Sequence, residues 1–244
     1  MPDNQTRIRP LEPRDREAIR NICRVTAYRN AGYQVAFEDG EIFADYWTSW
    51  YTDFDREHSL VLEKNGVVTA YLLGCIHTRT FVKDMARHIL PKLIARILWR
   101  LVTGRYRNPV TKRMLRWTLL SAAREAPTVP FDIYPAHYHC NVLPEARGTG
   151  AYTRLVNAFL DHLEARNVPG VFGQIDEPTE TGPWLRMVTR AERIQPAQFY
   201  TETRSTMARD VFLQPTPEMR NRVWADTPQN YRLFIETASR YFRI

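Results

Sequence analysis

The chain is predicted to be α/β, a mixed sheet flanked by helices, and three observations predict it. A strand–loop–helix–strand unit occupies residues 137–172. An Asn65-Gly66 pair sits between two β-forming runs. Several segments carry apolar residues at helical spacing. At 244 residues, with 44% hydrophobic residues, one full core is affordable.

In the first unit, Tyr138 to Leu143 alternates as a strand does and Pro144 closes it. Arg147-Gly148-Thr149-Gly150 forms a small-residue loop. Leu155, Val156, Phe159, Leu160 and Leu163 then recur at helical spacing, and Asn167 with Pro169-Gly170 ends the helix. Such a loop suits an anion. Two glycines allow close backbone approach, a helix start offers free N–H groups and the positive end of its dipole, and Arg147 adds a charge. An ordinary Gly-containing turn fits the glycine spacing equally well. The loop lacks the Gly-Lys-Ser/Thr ending of a Walker loop. Thr153 stands where a dinucleotide fingerprint needs Gly or Ala, and about 130 residues precede the loop.

Val142-Leu143-Pro144-Glu145-Ala146-Arg147-Gly148-Thr149-Gly150, followed by Leu155-Val156, resembles the acetyl-CoA motif of the GNAT superfamily of N-acetyltransferases. Arg147 and Gly150 match the pattern, and Tyr152 departs from its usual last Gly or Ala. Residues 134–139 (Tyr-Pro-Ala-His-Tyr-His) with Pro169-Gly170-Val171 are similar to a bacterial subgroup that includes the acetyltransferase-like domain of some O-GlcNAc hydrolases. The resemblance covers roughly residues 6–212. It implies a mixed, mostly antiparallel sheet of about seven strands, with an insertion at 80–129 and a C-terminal helical extension at 213–244. It also implies transfer of an acetyl group from acetyl-CoA to an amine by direct attack in a ternary complex. Arg147, Gly148, Thr149, Gly150, Ala151 and Tyr152 would hold the pyrophosphate, and the backbone of Asn141, Val142 and Leu143 would pair with pantetheine.

The remaining elements follow in chain order. Thr6 to Leu11 begins a strand. Arg14 to Asn30 reads as a helix with Ala18, Ile19, Ile22, Cys23 and Val25 inward. Gly40 to Trp50 reads as a second helix carrying Phe43, Tyr46, Trp47 and Trp50 on one face, a core stripe by its spacing or, as the resemblance implies, an acceptor wall. Ser59–Glu63 and Val67–Ile76 form a hairpin around Asn65-Gly66. Val171 to Ile175 is the fifth strand. Gly182 to Arg190 reads as a short helix, and the family alignment puts Val188 where a thiolate-protonating Tyr is usual. Tyr152 and Tyr200 are the alternative phenols. Ser205 to Val211 reads as the last strand of the sheet, and Thr227 to Phe242 as a helix with Thr227-Pro228 at its start.

The net charge of +7 is unevenly spread. Between Lys83 and Glu125 eleven Lys or Arg face two acids, a local +9, leaving the rest near −2. Ile89, Leu90, Leu93, Ile94, Ile97, Leu98 and Leu101 make one apolar stripe, and Met114, Leu115, Leu119 and Leu120 another. This basic helical hairpin admits three roles: packing with a solvated face, a lid or acceptor element, or a membrane-surface contact. No nucleic-acid motif accompanies it.

His137, His139 and Asn141 alternate and share one strand face, so His137 or His139 is the candidate base that keeps an amine neutral. A structural hydrogen bond is the competing role for each. Cys23, Cys75 and Cys140, odd in number and widely spaced, fit reduced thiols in a cytoplasmic protein, and no spacing suggests a metal. The N-terminus has no apolar signal segment. The competing class is a catalytically degenerate module that binds acyl-CoA, a membrane or a partner. A homodimer is also compatible.

Overall fold

The computed structural model describes residues 6–182, 185–186, 197–214 and 217–242. The helix expected from Gly182 to Arg190, including Val188, falls largely outside them. Strands β1 (Thr6–Pro10), β2 (Leu60–Lys64), β3 (Val67–Cys75), β4 (Ala136–Val142), β5 (Val171–Pro178), β6 (Phe199–Ser205) and β7 (Met219–Asp226) form one seven-stranded sheet. Its order is β1-β2-β3-β4-β5-β7-β6. All neighbours are antiparallel except β4 and β5. Asn65 (φ 52°) and Gly66 (φ 82°) make the tight β2–β3 turn, because both positions need the left-handed region.

Helices cover both faces. On one face, α1 (Arg16–Asn30) and α2 (Gly40–Ser49) pack on β2 and β3 through Ile19, Ile22, Ile42, Tyr71 and Leu73. Val25 is exposed, outside that buried set. Arg20, buried on α1, pairs with Asp45 and Glu41 of α2 and fixes one helix on the other. At its end α1 leaves helical geometry: Tyr28, Arg29 and Asn30 have φ of 49°, 59° and 73°. Each costs roughly 1–2 kcal/mol for a side-chain-bearing residue.

The insertion carries α3 (Thr78–Asp84), α4 (Leu90–Val102), α5 (Pro109–Trp117) and α6 (Ala123–Glu125), with wider π turns at Met85–Ile89 and Thr118–Ala122. The first π turn lies just before Pro91, which has no N–H to continue an α ladder and would crowd the carbonyl four residues back.

On the other face, α7 (Ala151–Ala165) buries Leu155, Val156, Phe159, Leu160 and Leu163 completely, the face its spacing predicts. After β6 come the single turn α8 (Met207–Asp210) and the C-terminal helix α9 (Pro228–Phe242). Two expectations are corrected here. Residues 205–211 are not the last strand, because Met207–Asp210 turns helically. The boundary at 212 does not end the sheet either, since β7 lies beyond it and sits between β5 and β6. The helix α9 starts as expected, with Asn230 N donating to Thr227 Oγ1 at 3.3 Å. It packs Tyr231, Phe234 and Ile235 against α7 and Trp224. Among the described residues no helix is long and apolar enough to cross a membrane.

Candidate active site

Strands β4 and β5 pair at only two positions, Ala136 with Val171 and His137 with Phe172. Beyond these they diverge, and the sheet opens as a V. Which backbone groups of β4 face the opening follows from its pairing with β3. Leu143 N donates to Thr69 O at 3.0 Å, and Ala136 N donates to Gly170 O at 3.2 Å on the β5 side. In antiparallel pairing the bonding direction alternates. Odd-numbered residues of β4 therefore bond toward β3, and Tyr138, Cys140 and Val142 turn their N–H and C=O toward the opening. The expected set of Asn141, Val142 and Leu143 is corrected accordingly. Only Val142 faces the cleft through its backbone, and Leu143 is engaged by Thr69 and by Ala146 N. Tyr138 and Cys140, which no spacing argument had singled out, turn theirs to it as well.

The loop at the mouth of the V has the geometry an anion needs. Gly148 (φ 71°) and Gly150 (φ 73°) are left-handed, and a Cβ on either would meet nothing within 4 Å. Thr149 Oγ1 closes the turn onto Ala146 O at 2.7 Å. The first hydrogen bond of α7 runs from Arg154 N to Gly150 O, so the N–H groups of Ala151, Tyr152 and Thr153 have no acceptor within the helix. Arg147 is exposed, donating to Val142 O and to Asn30 Oδ1 at the distorted end of α1. The phenol of Tyr152 points away from the loop. The Tyr138 hydroxyl lies 2.9 Å from it and in turn 3.1 Å from the Tyr231 hydroxyl. Burial pushes the Tyr152 phenol well above its ordinary range. Tyr200 is on the outer strand β6, held by Glu202 and Arg222, away from the V.

His137, His139 and Asn141 do share the face toward α1 and α2. His137 Nε2 lies 2.8 Å from the Tyr51 hydroxyl and Nδ1 lies 2.7 Å from Thr78 Oγ1. Thr78 donates its proton to Pro135 O, so it accepts from Nδ1–H, and Tyr51 donates to Nε2. Both nitrogens are thus occupied in the neutral ring, and burial pulls its pKa down to about 3. Asn141 Nδ2 donates to Tyr71 Oη at 2.7 Å and approaches His139 Nε2 at 3.3 Å. That leaves Nδ1–H of His139, which is buried and unpaired, as the donor. Burial lowers the His139 pKa to about 4. Neither imidazole presents a free lone pair.

The opposite arm carries a group the sequence reading passed over. The rings of Phe172 and His137 lie 5.4 Å apart, so Phe172, Gln174 and Asp176 share the His137 face of the sheet. Asp176 Oδ2 accepts from Ser205 Oγ at 3.0 Å, and Oδ1 is buried without a partner. Burial raises its pKa to about 6. The Ser205 hydrogen bond and Arg29 oppose the rise, while Glu125 and Glu177 add to it. Asp176 and Asn141 each lie four residues past the last β4–β5 pair, at matching depth on the two arms. The alternation within 171–178 would have placed Asp176 on that face, had the strand been extended beyond Ile175. Aromatic rings run from Tyr28 through Phe43 to Trp47, and the Trp47 ring lies 5.2 Å from that of His139. Trp47 and Tyr46 are half exposed, whereas Trp50 is buried.

A sheet opened between its two parallel strands, with a glycine loop leading into a helix at the mouth, is the fold of the GNAT N-acetyltransferases. Among solved structures, SsHAT is similar over 92% of this chain and 98% of its own, with a TM-score of 0.58 and 24% identity. The polyamine N-acetyltransferase of Drosophila melanogaster, which forms N-acetylagmatine, is similar over 91% of this chain and 100% of its own, at TM-score 0.51 and 16% identity. The C-terminal condensation domain of Ebony, solved with beta-alanyl-dopamine, gives 0.53 and 12% over 92% of this chain. No model of a known protein family matches the chain.

Proposed function

We propose that the chain is an acyltransferase that moves an acetyl group from acetyl-CoA to an amine. The observation that carries this reading is the V between β4 and β5 with an open, left-handed glycine loop at its mouth. In it, Arg147 and the N–H groups from Gly148 to Tyr152 take the pyrophosphate. The backbone of Tyr138, Cys140 and Val142 pairs with the amides of the pantetheine arm, as an added strand would. The amine approaches from the α2 side, along Tyr46 and Trp47.

Asp176 is the proposed base. A carboxylate raised to about 6 binds a cationic amine and takes its proton near neutral pH. The amine nitrogen then attacks the thioester carbonyl and the C–N bond forms; as the C–S bond breaks, the second proton leaves the nitrogen and passes through water to the departing thiolate. His139 is reassigned from base to hydrogen-bond donor, and His137 to a buried strut between Tyr51 and Thr78.

Calorimetric titration of acetyl-CoA tests the first half of the reading. Micromolar binding is expected in the parent protein, with loss in the Arg147→Ala, Gly150→Asp double variant. Absence of binding in the parent protein would count against acyl transfer altogether. A second reading, a non-catalytic acyl-CoA-binding module, is favoured by the two occupied imidazoles. Tight CoA binding without turnover across a panel of polyamines, arylamines and peptides would select it.

A further inference from the structure

The insertion carries an uncovered face. On α4, Leu93 is buried, while Arg96 and Arg100 fold back onto Asp45 and Asp39 beside α2. The outward side holds Leu101, Ile94, Leu98, Pro91, Val102 and Trp99, all exposed, and these span about 160° of the helix at 100° per residue. Leu98 is 55% exposed, Trp99 65% and Val102 83%. Isolated exposed apolar residues are ordinary, but a continuous helical face of them is not. From Met85 to Arg124 the sequence has ten Lys or Arg and no acid.

We propose that this face of α4 docks on an anionic lipid surface. The apolar arc enters the boundary between headgroups and acyl chains, and Arg87, Lys92 and Arg105 beside it meet the lipid charge. Trp99 lies at the rim next to Lys92, the position an indole takes at headgroup level. With thirteen residues α4 is about 20 Å long, too short to cross the roughly 30 Å core, so it lies in the plane of the surface.

Charge separates this occupant from the others. A second copy of the chain would bring two acid-free basic stretches together. A nucleic acid would need charge along the contact face itself, where α4 presents an apolar arc with Lys92 only at its rim and its two arginines turned inward. Docking also has a geometric result. Since Asp45 and Asp39 tie α4 to α2, and α2 carries Trp47, the acceptor side of the V is held near the bilayer.

Vesicle co-sedimentation tests this directly. Vesicles of phosphatidylcholine alone are compared with vesicles containing about 30% phosphatidylserine, at roughly 0.15 M salt. The protein is expected to pellet with the anionic vesicles only. A Leu98→Asp, Val102→Asp double variant should bind at least about tenfold more weakly, with an unchanged melting temperature because both sites are exposed. Leu233→Asp, on the exposed side of α9, should bind as the parent does. Equal pelleting of the double variant, or no pelleting at all, overturns the proposal. So does a dimer in solution that Leu98→Asp dissociates, which would assign the face to a second copy.

Discussion

At the scale of the residue, protonation separates the candidate groups. His137 has a folded pKa near 3 and His139 near 4, against an ordinary value of 6.5. Between pH 6.5 and these values the unfolded chain binds protons that the folded chain does not, so stability falls as pH drops. Melting temperature should therefore decline below pH 6.5, and His137→Gln should melt lower at pH 7 yet decline less steeply. Asp176 has the opposite sign. Its folded pKa near 6 lies above the ordinary carboxylate value, so stability falls as pH rises from about 4 to 6. Asp176→Asn should then melt higher than the parent at pH 7. The same variant should lose about 10²–10⁴ in kcat and flatten the rising limb of the rate profile near pH 6. A retained limb would remove Asp176 from the base role. Alternation placed His137 and His139 on one face from sequence alone. The partners of His137, Tyr51 and Thr78, come from segments far along the chain, so no local pattern could reveal that its imidazole is occupied, whereas the partner of His139 is Asn141, two residues on along the same strand face.

At the scale of the element, close packing of the sheet on α7 gives the sharpest test. Gly74 on β3 lies under Phe159, and a Cβ there would fall 2.2 Å from His58 O and 2.5 Å from the Phe159 ring. Gly74→Ala must displace backbone, at a cost of about 1–3 kcal/mol; denaturant unfolding measures it, and an unchanged midpoint would contradict the packing. The helix α7 was legible because its five apolar positions are all core positions. Strand β7 was not, and the reason is electrostatic. Its sequence, Met-Arg-Asn-Arg-Val-Trp-Ala-Asp, puts Arg222 in the interior, where Glu177, Glu202 and two carbonyl oxygens satisfy it. A strand neutralised by residues on β5 and β6 has no apolar alternation of its own to read. Arg222→Ala, which removes the buried cation between Glu177 and Glu202, is expected to lose about 3–5 kcal/mol.

At the scale of the whole molecule, the C-terminal segment is part of the core. Tyr231, Phe234 and Ile235 are buried against α7 and Trp224. Burying three such side chains contributes roughly 5–9 kcal/mol, comparable with the entire stability of an ordinary domain. A chain ending at Asp226 should therefore lose its cooperative melt and bind a hydrophobic dye. A truncated chain that still melts sharply would show α9 to be dispensable. The basic insertion was legible from spacing and charge and the β2–β3 hairpin from its turn, while the sheet of about seven strands followed from the family resemblance. The extent of the sheet past the limit drawn at 212 was not legible, because that limit was where the resemblance ended, and the pairing of β7 between β5 and β6 is a long-range property.

The divergence of β4 from β5 has one more consequence. Sheets ordinarily keep their exposed edges at the outside, where charges and short strands guard them against foreign pairing. Here two more edges lie in the middle, along Tyr138–Val142 and Gly173–Pro178, each with a row of backbone donors and acceptors on one side. Whatever fills the gap acts as the missing strand and stabilises the protein by mass action, by about 2.7 kcal/mol when present at a hundred times its dissociation constant. Without such a filler, the same gap is a template for any extended peptide, including a neighbour's unfolded tail. Concentrated stocks should accordingly aggregate more slowly in the presence of CoA, in proportion to the thermal shift that CoA produces.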